Sequence, residues 1–137
     1  MNMPNPYNQY RQTQIQTAPP EQLVMMLYDG AIRFGLQAID SIKTRDLESA
    51  NNSLVRVQDI LNELMVSLNS DAGEIADQLH QLYDYFLRRT IEANLKKDAA
   101  IVEEVLQFLR ELRSTWAEAM TLARQQTLRA GVGDGNF

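Results

Sequence analysis

Between Leu47 and Leu68, apolar residues recur at alternating spacings of three and four: Leu47, Ala50, Leu54, Val57, Leu61, Leu64 and Leu68. The repeat follows the period of an α-helix and breaks the every-second-residue alternation of a half-buried strand. Seven side chains on one seam need apolar surface opposite them, so the rest of the chain must supply helices to cover this one.

Three further segments have the same period. The first opens at Thr17-Ala18-Pro19-Pro20-Glu21 and is predicted to run to about Lys43, prolines being tolerated in a first turn whose N–H groups have no helical partner. Its stripe is Val24, Leu27, Ala31, Phe34, Ala38 and Ile42, widened by Leu23, Met26, Tyr28, Ile32, Leu36 and Ile39. The seam-bearing segment begins near Asp46 and stops at the polar break Asn69-Ser70-Asp71-Ala72-Gly73. A third runs from about Glu74 to Leu95, with Ile75, Leu79, Leu82, Phe86 and Ala93 inward and Ala76, Tyr83, Leu87 and Ile91 beside them. After a turn at Asn94 to Lys97, Asp98 can cap the fourth, which carries Val102, Val105, Leu109, Leu112, Trp116, Ala119 and Ala123.

Helices of matched length, each roughly 30–38 Å, joined by short turns predict an all-α fold, an antiparallel up-down-up-down four-helix bundle. The bundle is assigned residues 17–124. Residues 1–16, rich in Asn, Gln, Pro and Tyr, predict a flexible N-terminal arm, and residues 125–137, glycine-rich from Gly131, a flexible C-terminal tail.

Composition then removes most chemistry. The chain has no cysteine, so disulfides, thiol nucleophiles and Cys-ligated metals are excluded. His80 is the only histidine and is expected at the surface or core edge; alone it supports neither a His-rich metal site nor a serine triad. Asp29 with Arg33 and Asp84 with Arg88 stand four apart and are expected to pair on helix surfaces. No catalytic, metal or cofactor site is expected, and the chain does not read as an enzyme. The formal net charge of −5 and the scattered basic residues argue against nucleic acid as a partner. The opening residues pair no basic run with an apolar stretch, and no apolar run approaches the roughly 18 residues of a membrane span. A cytosolic location without stable membrane insertion is therefore expected.

What remains is surplus apolar surface. Beside the stripes stand Met25 and Tyr28, Ile60 and Met65, Tyr83 and Leu87, Ile101 and Phe108. Each can be a flanking core residue; together they predict an apolar groove open to a partner helix or to the chain's own arm, whose Tyr7 and Tyr10 suit such docking. These ten are the candidate partner-binding residues.

Several motifs carry a resemblance. Glu21 through Phe34, with Leu27-Tyr28-Asp29-Gly30 at its centre, then Gly73-Glu74-Ile75-Ala76, Leu82 through Arg89, Ala93-Asn94, and finally Leu112-Arg113 with Trp116, resemble the FliS family of flagellar secretion chaperones in order and spacing. The likeness covers about residues 7 to 120. It departs at Pro19-Pro20, where the family usually has Ser before a single Pro, and in a short turn before Gly73. It implies a four-helix bundle that binds the disordered C-terminal segment of flagellin, prevents premature polymerisation, and assists delivery to the flagellar type III export gate. It also implies that the Tyr7 and Tyr10 arm covers part of the bundle and moves when the client binds. Other flagellar assembly regulators and a weak homodimer are further partners to expect. A generic helical adaptor for a folded partner and a self-assembling oligomer are the alternative readings.

Overall fold

The structure is a computed structural model that describes residues 20–68 and 73–135. Four helices follow one another: α1 (Pro20–Lys43), α2 (Leu47–Val66), α3 (Glu74–Lys96) and α4 (Ala99–Gly135). Each packs against its neighbours in the chain, and α1 also packs against α4, closing the circuit of an up-down-up-down bundle.

The tight connections have local causes. Asp46 caps α2 by accepting the Ser49 N–H at 3.2 Å, and Asp98 caps α4 by accepting the Ala100 N–H at 2.9 Å. At the end of α1, Arg45 adopts φ 61° while the Asp46 N–H reaches back to the Ser41 carbonyl at 2.8 Å. Lys97 repeats this after α3, with φ 51° and the Asp98 N–H on the Ala93 carbonyl at 3.1 Å. Both are left-handed helix stops that satisfy otherwise orphaned carbonyls, and both place a non-glycine residue where glycine is favoured.

The seam on α2 is buried as its spacing predicts from Ala50 through Leu64, and it meets Tyr28, Phe86, Val105, Leu106 and Leu109 in one core. Leu47 lies outside that core, 53% exposed. On α1 the buried face runs through Tyr28, Ala31, Gly35, Ala38 and Ile39; Ala31 and Ala38 of the predicted stripe are buried, while its Val24, Leu27, Phe34 and Ile42 are half-buried against the core, so the face is rotated partway from the stripe. Gly35 explains the rotation, because a Cβ there would collide with the Leu106 side chain. The helix presents its slimmest side to α4, and a search for large apolar residues misses it. On α3 the buried face is Ala76, Tyr83, Phe86, Thr90 and Ala93. Thr90 is tolerated inside because its hydroxyl donates to the Phe86 carbonyl at 2.7 Å.

The largest difference concerns α4. It continues to Gly135, through the residues assigned to the flexible C-terminal tail. From Thr121 to Ala130 every residue is exposed, so packing does not hold this stretch in a helix. Its leucines, alanines, glutamines and arginines have favourable intrinsic propensity, and no glycine or proline interrupts them before Gly131. At 37 residues α4 spans about 55 Å, against about 36 Å for α1, and therefore projects beyond its partners.

Candidate partner-binding surface

The buried core stops short of one end of the bundle, where α1 and α3 begin and α2 ends. Along the first turns of α3, Ile75, Leu79 and Leu82 fall on the flank that faces α4. Opposite them α4 offers Leu112 and Trp116 but also the smaller Thr115 and Ala119, so the two helices fail to close. The result is an apolar trench of about 480 Å³. Behind it lies an inner cleft of about 200 Å³ bordered by Val24 of α1, Leu68 just past the end of α2, Ala76 and Tyr83 of α3, and Trp116 of α4. Ile75, Leu79 and Trp116 border both spaces. Ile75 remains 65% exposed, a strong departure from its predicted place on the inner face.

Beneath the trench three polar side chains satisfy one another. The Trp116 indole N–H donates to the Tyr28 hydroxyl at 3.0 Å, and the Tyr28 and Tyr83 hydroxyls share a hydrogen bond of 2.5 Å. The two tyrosines are 0% and 1% exposed. Burial raises both phenols above the ordinary tyrosine range, Tyr28 strongly because the neighbouring Tyr83 adds to the effect. Each group is neutral at physiological pH, so the trench floor carries no charge.

Farther along the same face the helices are stitched shut. Arg89 bonds Glu104 of α4 and Glu92 of its own helix, each at 2.6 Å; Tyr85 donates to Glu104 at 2.8 Å, and Lys96 to Glu92 at 2.7 Å. The Arg89 guanidinium, with the Tyr85 hydroxyl, holds the Glu104 carboxyl below the usual carboxylate range. Beyond the Leu82 and Leu112 end of the trench, α3 and α4 are thus held together by charge.

A second, smaller apolar groove of about 280 Å³ lies between α1 and α2, bordered by Leu23, Met26, Leu27, Gly30, Phe34 and Ile60. Because the helices form a closed square, this groove faces away from the trench. Beside it the ion pairing departs from expectation. Asp29 pairs with Arg113 of α4, while Arg33 lies 5.2 Å from the Phe34 ring centroid. Asp84 does pair with Arg88, at 3.1 Å. His80 is exposed, and among the described residues no cluster of His, Asp and Glu could hold a metal ion.

The candidate residues separate by depth. Tyr28, Tyr83 and Ile101 belong to the core of the free bundle. Met25, Ile60, Met65 and Leu87 are half-buried, and of these Ile60 borders the α1–α2 groove. Phe108 is 39% exposed and stacks on Phe86 with ring centroids 5.6 Å apart. Tyr7 and Tyr10 lie outside the described residues. The trench itself is made largely of residues read as inward stripe: Ile75, Leu79, Leu82, Leu112 and Trp116. Their signal was present as two offset stripes on α3, one bulky and one containing Ala76, which a single helix cannot bury equally.

A match to the family described as flagellar protein FliS spans residues 3–123. The chain belongs to the FliS family of flagellar secretion chaperones. It is 35% identical to the flagellar secretion chaperone FliS of Bacillus subtilis over 133 residues, covering 97% of this chain and 98% of that one. It is 34% identical to the FliS chaperone of Salmonella typhimurium, covering 84% and 87% of the two chains, and 32% identical to that of Escherichia coli, covering 77% and 79%. The fold matches a crystal structure of a bacterial flagellar chaperone with a TM-score of 0.72 at 22% identity, over 84% of this chain and 94% of the other. Among the described residues of this FliS-family bundle, no helix is long and apolar enough to cross a membrane.

Proposed function

We propose that this FliS-family protein is a cytosolic, non-enzymatic chaperone for flagellin, holding the C-terminal segment of an unassembled subunit and assisting its delivery to the flagellar type III export gate. The observation that carries the reading is the open trench of Ile75, Leu79, Leu82, Leu112 and Trp116, an apolar surface left unpaired in a member of a secretion-chaperone family. Its shape suits one amphipathic helix laid between α3 and α4, read as anchors at i, i+3, i+4 and i+7. The α1–α2 groove on the far side gives a wrapping client a second foothold, where Ile60 and Met26 would meet it.

Each fully buried Leu or Phe anchor contributes about 1.5–3 kcal/mol, while a segment that folds on binding must also be ordered, so a large contact yields only moderate affinity. Such a complex blocks polymerisation and still releases its cargo. Of the candidate residues, Phe108, Met25, Met65 and Leu87 stay reachable from solvent, whereas Tyr28, Tyr83 and Ile101 would act from beneath. Tyr7 and Tyr10 are assigned to an arm that shares this surface with the client.

Calorimetric titration with a peptide covering the C-terminal segment of flagellin from the same organism, followed by circular dichroism, tests the proposal. Saturable 1:1 heat with a gain in helicity is expected. A soluble peptide that gives neither at tens of micromolar would remove flagellin as the client and favour an adaptor for a folded partner.

A further inference from the structure

The trench and the inner cleft share Ile75, Leu79 and Trp116, and of these only Trp116 is held by a side-chain hydrogen bond. Trp116 borders both, and its indole is half-buried, attached to α4 at the level where the core has ended. An apolar wall beside an apolar void of about 200 Å³ has a default tendency to fall inward, since a rotated indole would recover contacts that the void withholds. One hydrogen bond opposes that collapse. The indole N–H can only donate, and it donates to Tyr28, 0% exposed and held in turn by the Tyr83 hydroxyl.

We propose that Tyr28 is a positioning residue, whose hydroxyl pins the Trp116 indole as the wall of the trench and so keeps the groove open before a partner arrives. The proposal rests on the reading of the trench as the client site. It assigns different work to two tyrosines that look equivalent in the core. Tyr28 receives the indole N–H at 3.0 Å, whereas Tyr83, whose hydroxyl also feels the indole, braces Tyr28 from α3. Loss of the Tyr28 hydroxyl frees the wall; loss of the Tyr83 hydroxyl leaves the Trp116–Tyr28 bond in place.

The test compares Tyr28→Phe with Tyr83→Phe in the full chain, reading unfolding midpoint, affinity for the flagellin C-terminal peptide, and time-resolved fluorescence anisotropy of Trp116, the only tryptophan. Both variants break the same tyrosine pair and are expected to lower the midpoint alike. Only Tyr28→Phe should add a fast component to the anisotropy decay of the free protein and weaken peptide binding, by roughly three- to tenfold, while Tyr83→Phe stays within about twofold of wild type. Should Tyr28→Phe fail to fold, replacing the Trp116 indole by its donor-free isostere benzothiophene removes the same bond and should cost the same affinity. Equal affinity losses in both tyrosine variants, an unchanged anisotropy decay in Tyr28→Phe, or full affinity of the benzothiophene protein would each overturn the proposal. If wild type binds no peptide while the anisotropy behaves as expected, the client assignment fails and the positioning role stands.

Discussion

Leu61 has no exposed surface and sits mid-seam on α2, surrounded by the other helices. Replacing it with Ala should lower stability by about 2–5 kcal/mol through lost burial and a cavity, read as a reduced denaturant midpoint at unchanged slope. The buried tyrosines give a prediction of different kind. Their folded-state affinities for the proton exceed the ordinary tyrosine value of about 10, so the contribution they make to stability is complete below that pH and is lost as the pH climbs through their raised values. In an alkaline titration followed by phenolate absorbance, Tyr28 and Tyr83 should stay protonated until the fold itself gives way, then ionise in one cooperative step. Noncooperative ionisation of all tyrosines near the ordinary value would refute their burial. At this scale the sequence was legible for leucine and poorly legible for tyrosine and glycine. A leucine at three-four spacing has one sensible location. Tyr28 reads equally well as contact residue or core, and only the partner hydroxyl from α3, 55 positions away, decides.

The helix boundaries follow from caps and turn residues that a sequence carries openly. Asp98 was visible as a cap and Asp46 only as a helix start; the left-handed conformation of Arg45 and Lys97 was not, since nothing in either side chain announces it. Arg45→Gly should stabilise the bundle by about 0.5–1 kcal/mol, the relief of left-handed strain exceeding glycine's added chain entropy. A lower thermal midpoint would contradict that assignment. The overhang of α4 makes an opposite prediction: truncation after Arg124 should leave the denaturant midpoint unchanged, because from Gln125 through Ala130 nothing is buried. Propensity alone keeps that stretch helical, and the three-four stripe, which ends at Ala123, does not report where such a helix stops.

For the molecule as a whole, period and length were enough to specify four antiparallel helices, because a seam of that regularity has few alternatives. The place where the bundle fails to close was harder to foresee. It arises from a mismatch between α3 and α4, bulky Ile75 and Leu79 meeting Thr115 and Ala119, and mismatches between helices leave no mark within either one. Proximity of Trp116 to that gap predicts that a segment entering the trench will change tryptophan emission in proportion to occupancy; saturating peptide that leaves the emission unaltered would locate the contact elsewhere.

The asymmetry of the trench has a mechanical meaning. With α3 and α4 cross-linked by Arg89 and Glu104 beyond the Leu82 and Leu112 end and Ile75 exposed at the other, a segment drawn out past Ile75 loses its anchors in succession, as tape is peeled. Pulled the other way, it would have to shear all of them together. Rupture force measured by tethering either end of a seated segment should therefore depend on direction. A grip that resists thermal loss can in this way still yield to a modest, correctly aimed tug.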